Sequence, residues 1–274
     1  MFERPEGKVE LSDPVKSSIR LETMAFANET RERLGISPIE PIEVIQHIER
    51  DGVFVFQIKN LGSSGFVRVF GDQKAIFVNA DHSLGRQYYT NAHEYCHVVR
   101  DLNKIQILKE LPEEERKQRL DQIEEFAFKF ADYFLMPEPA IYKSLETLGI
   151  YDYKIISVTD VIRIQHHFNV SYRQTVRMLN KANVISDEQR HELGKLRSKE
   201  NPDELLSLTT QAGFNIATLA LGLEYSRIPS ILVEEIIANI RNSRMTYKKV
   251  KHLEDLLGIS LKEYWPVEEN TTSP

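Results

Sequence analysis

Two histidines, His93 and His97, stand four residues apart in Thr90-Asn91-Ala92-His93-Glu94-Tyr95-Cys96-His97, with Glu94 beside the first. If the stretch is helical, at 3.6 residues per turn the rings lie about 40° apart around the axis and one turn apart along it. Both can then reach one point, with Glu94 on the adjacent flank. Two neutral imidazoles and a carboxylate in the order H-E-x-x-H are the residue types that hold Zn²⁺ and take a proton from its bound water. Three fixed letters also arise by accident, so the pattern requires a third ligand and an open coordination position. A closed structural zinc site would draw on more sulfur, and Cys96 is the single cysteine of the 274 residues, which excludes Cys-rich sites.

A third ligand has to come from another element. From Leu120 to Pro137, Ile123, Ala127, Phe130, Ala131 and Phe134 recur at helical spacing, and Met136-Pro137 ends the run. Glu124 falls inside their arc, about 40° from Leu120, whereas Glu125 falls about 140° away on the polar side. A carboxylate aimed into a core is costly unless it is paired or bound to a metal. Two readings of Glu124 follow: an ion pair with Arg86 or Arg100, or the last member of a His₂Glu set whose fourth position holds water. The upstream motif favours the second.

These residues also resemble a known family. Phe77-Val78-Asn79, then Arg86-Gln87-Tyr88-Tyr89-Thr90-Asn91-Ala92-His93-Glu94-Tyr95-Cys96-His97, then Glu124-Glu125-Phe126-Ala127-Phe128-Lys129-Phe130-Ala131 running into Leu135-Met136-Pro137, is similar to the signatures of the ImmA/IrrE metallo-endopeptidases. Phe168-Asn169-Val170-Ser171 through Arg177-Met178-Leu179 looks like the family's closing segment, and the likeness runs from about Val44 to Asn183. It implies that His93, His97 and Glu124 are the metal ligands and Glu94 the general base. It further implies a substrate, a helix-turn-helix repressor of the Xre type, cut or inactivated so that silenced genes switch on, often within mobile elements or stress-response circuits. Cys96, where the family often has Gly, and Phe128, where a small polar residue is common, depart from the pattern without touching those four positions.

Three nearby residues could assist. Tyr89 lies toward the His93 face and could hydrogen-bond an oxyanion, or simply pack. Asp101, four residues beyond His97, could orient its imidazole or sit at a solvated helix end. His82, in the preceding loop, could supplement the site or be solvated. Cys96 reads as a small residue packed against the next helix rather than a reactive thiol.

The elements that must position these groups can be traced along the chain. Ser17 to Leu34 reads as a helix stopped by Gly35, after an extended arm over residues 1–16, and Pro41 to Glu49 reads as a short second helix. Val53 to Ile58, Gly65 to Phe70 and Lys74 to Asn79 are β-branched and aromatic, hence three strands, with Gly71-Asp72-Gln73 as a hairpin loop. Such a sheet could support the metal helix, offer an edge to an extended peptide, or do both. The metal helix is placed from Ser83 or Leu84 to Arg100. Helices near Pro139 to Leu148, Val158 to Phe168 and Ser171 to Leu179 follow; the last two could be read as a DNA-binding pair with Tyr172, Arg173 and Gln174 on its recognition helix. After a linker at Arg197 to Asp203, Leu205 to Leu223, Pro229 to Asn242 and Thr246 to Leu257 read as helices, with Arg241, Arg244, Lys248, Lys249 and Lys251 as a basic face.

The expected fold is α+β: a three-stranded sheet with a helical, zincin-like core over residues 1–200, and an all-α module over 201–274. Hydrophobic content of 41% and charged content of 28% suit a globular chain, and the net charge of −6, from 35 basic and 41 acidic residues, offers no global attraction to nucleic acid. Met1-Phe2-Glu3-Arg4-Pro5-Glu6 is polar, no run reaches membrane-spanning length, and one cysteine fits a reducing cytoplasm. The residues therefore point to a cytoplasmic zinc endopeptidase with a protein substrate. A non-cleaving repressor-binding module and a DNA-binding regulator are the alternatives.

Overall fold

The computed structural model describes residues 12–108, 110–196, 202–215, 219–257 and 260–264. Its sheet has three strands, β1 (Val53–Ile58), β2 (Gly65–Phe70) and β3 (Gln73–Asn79), in the order β1-β3-β2. β1 runs parallel to β3 and β2 antiparallel to it, so the central strand is buried at Ala75, Ile76 and Val78. Phe56, Phe77 and Phe66 stack across all three strands, with ring centroids 4.7 and 4.9 Å apart. Aromatic cross-strand pairs of this kind hold the register of a small sheet. Gly71, at φ +58°, makes the tight turn between β2 and β3.

Two helices open the chain, α1 (Asp13–Arg33) and α2 (Val44–Arg50). The first begins before the expected Ser17, because Asp13-Pro14 supplies a favourable first turn. The helix carrying the two histidines is less regular than its sequence predicts. It comprises α3 (Leu84–Cys96), a π-helical turn His97–Asp101, and α4 (Leu102–Leu108). A π turn closes through bonds five residues back, and Leu102 N–H donates to His97 O accordingly.

The long α5 (Glu113–Leu135) packs against α1 and α3. Phe126, Ala127, Phe130, Ala131 and Phe134 form its buried stripe, and Phe26 of α1 meets the Phe126 and Phe130 rings at 5.9 and 5.6 Å. The end of α5 is held by Arg31, 1% exposed, which donates to the carbonyls of Phe134, Ser37 and Glu40 at 2.5–2.6 Å. A buried guanidinium is tolerated here because those acceptors replace water.

Beyond α5 come α6 (Glu138–Thr147), α7 (Val158–Phe168), α8 (Tyr172–Lys181) and α9 (Asp187–Leu193). The last was not expected from periodicity, although Ser186 and Gln189 form a capping box at its start. α8 buries Tyr172 and Gln174, two of the three side chains that a groove-reading helix has to expose.

The C-terminal part departs from the expected helix over Leu205 to Leu223. α10 (Pro202–Gln211) is shorter, and residues 219–227 form an irregular strap along the sheet and the start of α3. Leu205 joins the main core, and Gln57 of β1 exchanges backbone hydrogen bonds with Arg227 at 2.8 and 2.7 Å. Only α11 (Ser230–Arg241) and α12 (Tyr247–Leu257) gather around a separate small cluster, Ile240, Val250 and Leu261. The arm at 1–11, most of the linker and the tail after Tyr264 lie outside the described residues. No described helix is long and apolar enough to cross a membrane.

Candidate metal centre

His93 lies in the last turn of α3 and His97 opens the π turn, so their rings face one another with Nε2 atoms 3.2 Å apart. From α5, Glu124 reaches the same point: its Oε2 is 3.4 Å from His93 Nε2 and its Oε1 3.6 Å from His97 Nε2. One donor atom from each residue lies within 4.8 Å of the others. A tetrahedral ion with bonds of ~2.0–2.1 Å spaces its ligand atoms ~3.3 Å apart, so this cluster has the dimensions and the donor set of a His₂Glu zinc centre. The ion-pair alternatives for Glu124 are otherwise engaged: Arg86 donates to Ser64 Oγ, and Arg100 stacks on Phe126 at 3.5 Å while donating to Asp101 at 2.6 Å. Glu125, the polar-side neighbour, pairs with Lys129 at 3.1 Å.

Asp101 is completely buried rather than at a solvated helix end, and its Oδ2 lies 3.0 Å from His97 Nδ1. A proton on Nδ1 leaves the Nε2 lone pair directed at the cluster, which is how a carboxylate prepares an imidazole for a metal. Burial pulls the His97 pKa down, but the Asp101 hydrogen bond and the charges of Glu94 and Glu124 outweigh it and leave it raised. His93 has no such partner among the described residues; its Nδ1 is buried without a hydrogen bond, and its ring rests 4.5 Å from that of Phe128.

Glu94 is buried beside both rings. Loss of hydration raises its carboxyl pKa, Glu124 adds to the rise, and the two histidines oppose it. The first residue of β2 closes over it. A Cβ on Gly65 would sit 2.6 Å from Thr90 Cγ2, 2.9 Å from Phe77 O and 3.3 Å from Glu94 Cγ, so only glycine lets the strand approach this closely.

Tyr89 donates to the Phe128 carbonyl at 2.9 Å, under the Arg177 guanidinium, and burial raises its phenol pKa. His82 precedes α3, where its carbonyl accepts from Gln87 Nε2 at 2.6 Å and the residue lines a separate cavity. Cys96 is fully buried. The contacts that the sequence did not reveal are those between elements: Gly65 on Glu94, Phe128 on His93, and Arg100 on Phe126.

An α+β domain that brings two imidazoles of one helix and a carboxylate of another to one point, beside a buried glutamate, has the architecture of the metallopeptidase class. Residues 48–180 match the family model of the IrrE N-terminal-like domain, Peptidase_M78, which supports a metallopeptidase domain of the ImmA/IrrE kind over that stretch. His93, Glu94, His97 and Glu124 all lie within the matched region. No curated protein matches. Among solved structures the chain is similar to a Mycobacterium tuberculosis transcriptional regulator, at 19% identity and a TM-score of 0.39, over 62% of this chain and 52% of the other. The chain thus spans about half the length of that regulator.

Proposed function

We propose that this protein is a zinc-dependent endopeptidase whose metal ligands are His93, His97 and Glu124 and whose general base is Glu94. The convergence of three donor atoms from two helices within 4.8 Å carries the reading. A zinc ion held by His93, His97 and Glu124 would supply Lewis acidity to a peptide carbonyl and to the attacking water. Glu94, shielded from solvent and with a raised pKa, accepts the proton of the attacking water at a carboxylate oxygen and delivers it to the leaving amine nitrogen. Asp101 holds the His97 ring, and the Phe128 ring covers one side of His93.

The sheet supports a peptide substrate. β1 is covered on its outer side by the Arg227 bridge, whereas β2 is an edge strand, and Gly65 places its start against Glu94. An extended peptide that pairs with β2 would therefore present its backbone beside the base. The match to the IrrE-like domain extends the proposal to a helix-turn-helix repressor of the Xre type as substrate, which would place the reaction in the cytoplasm.

Glu94→Gln should keep stoichiometric zinc and lose cleavage of such a repressor, whereas Glu124→Ala should lose both; metal analysis and mass spectrometry of the repressor read the two effects. Full activity in Glu94→Gln would refute the base. Zinc-loaded wild type that binds the repressor and leaves it intact would replace proteolysis with sequestration.

A further inference from the structure

Away from the metal-binding cluster, a cavity of about 460 Å³ opens where the start of α3 meets α7, α8, α10 and the 219–227 strap. That volume is within the range of small-molecule pockets, ~300–1,000 Å³. Its interior is built from buried Val170, Tyr172, Leu205 and Leu219, interrupted by two polar side chains, Gln165 and Thr209. The Thr209 hydroxyl donates to Leu205 O at 2.7 Å. Gln165 is 6% exposed, and its Oε1 has no hydrogen-bond partner among the described residues; neither has His166 Nε2 next to it. Buried amide oxygens are normally satisfied, so this one is an unpaired acceptor on a side chain that lines the cavity, and a turn of the amide brings it to a donor entering there.

Charge on the rim is one-sided. Asp81 is already held by Lys59 Nζ at 3.0 Å and by Asn60 N–H at 2.7 Å. Arg86 donates to Ser64 Oγ at 2.8 Å and makes no salt bridge with a described carboxylate. Burial lowers the His166 pKa, which keeps its ring, stacked 4.1 Å from Phe214, neutral near pH 7. The walls are fixed in advance: the first amides of α3, Leu84 and Gly85, donate to Leu221 O and Leu219 O of the strap, at 3.1 and 3.4 Å. A Cβ on Gly85 would lie 2.9 Å from the Val170 carbonyl carbon, so α3 meets the turn between α7 and α8 there backbone to backbone.

We propose that this cavity binds an amphiphilic carboxylate, its acid group on Arg86, its apolar body against Tyr172, Leu205 and Leu219, and one N–H or O–H donated to Gln165 Oε1. Arg86, Thr90 and Glu94 recur every four residues along one stripe of α3, so an occupant gripping Arg86 touches the helix that carries the metal-binding cluster. The site is independent of the peptidase reading, since binding can be measured without metal or substrate.

Isothermal titration of the full chain with indole-3-butyrate, which has the ring, the N–H and the carboxylate, and with decanoate, which has no donor, tests the assignment. Saturable one-to-one binding is expected, weakened about tenfold or more for both ligands by Arg86→Met. Gln165→Leu should weaken indole-3-butyrate and spare decanoate. The neutral amide of indole-3-butyrate should bind the wild type about as poorly as the acid binds Arg86→Met, an arm that needs no altered protein. Absence of saturable binding of either acid, equal affinity of amide and acid, or unchanged affinity in both variants would overturn the proposal.

Discussion

Asp101 governs how His97 presents its ring, and its own burial makes it sensitive to change. Its carboxylate lies between His97 Nδ1 and the Arg100 guanidinium, and it is shut off from water. Asp101→Asn keeps the shape but can offer either an oxygen or an amide to the ring, so the tautomer is no longer imposed. Zinc affinity measured against a chelator should fall by roughly 10–100-fold, while Glu94→Gln leaves it unchanged. Equal affinity in Asp101→Asn and wild type would assign Asp101 to packing alone. Gly65 gives a second test. Gly65→Ala puts a methyl group 2.9 Å from the Phe77 carbonyl, a backbone atom that cannot swing aside. Cleavage should fall at least tenfold with zinc retained, because the strand moves and the ligands do not. Of these residues, the two rings and Glu124 were legible in the sequence, since each rests on spacing within one helix. The burial of Asp101 and the closeness of Gly65 to Glu94 were not, because they depend on distances between elements.

Element by element, the same division holds. Helical and alternating periodicity located the strands and most helices, yet nothing in His97-Val98-Val99-Arg100-Asp101 distinguishes a π turn from an α turn. The side chains of that turn reach other elements, Arg100 onto Phe126 and His97 toward Glu124 of α5, contacts that local periodicity does not encode. The strap was misread as helix for the opposite reason: Leu219, Leu221 and Leu223 have an apolar pattern, but their backbone groups are used by α3, Ala80 and Lys59. One clamp ties the metal helix to its surroundings. Arg33 of α1 and Asp51 after α2 both bond the Tyr95 hydroxyl of α3, at 2.7 and 2.5 Å, and pair with each other at 2.6 Å. Burial pushes the Asp51 pKa up, but Arg33 and Tyr95 outweigh it and leave it below the ordinary carboxylate range. A depressed folded-state pKa contributes stability above the unfolded value and loses it as pH falls through the folded one. Asp51→Asn should thus lower the melting temperature by roughly 2–4 °C at pH 7, screened by solvent at this half-open site. Calorimetry should show the difference closing as pH drops below ~4. A gap that persists into acid would mean that shape, not charge, holds the clamp.

At the scale of the whole molecule, the question is where the metal-binding unit ends. Residues 202–227 complete it in three ways: Leu205 enters the main core, Arg227 pairs with the outer side of β1, and Leu219 and Leu221 carbonyls take the first amides of α3. Those amides have no intrahelical partner, and an exposed strand edge invites pairing with other chains. Leu205 and Leu219 are buried, at ~1.5–3 kcal/mol for each side chain. By contrast, α11 and α12 pack with Leu261 around their own cluster of Ile240, Val250 and Leu261, and the cationic residues Arg241, Arg244, Lys248, Lys249 and Lys251 on and between them are exposed, Lys251 pairing with Glu254 and Asp255. Ending the chain after Ile228 should therefore leave a folded protein that binds zinc and melts within a few degrees of the full chain. Ending it after Leu196 should cost several kcal/mol, lower the melting temperature by roughly 10 °C or more and promote association through β1. Calorimetry and light scattering of the two truncations decide the matter. If the shorter chain is as stable and as monomeric as the longer, the strap is an ornament and the metal-binding unit is complete without it.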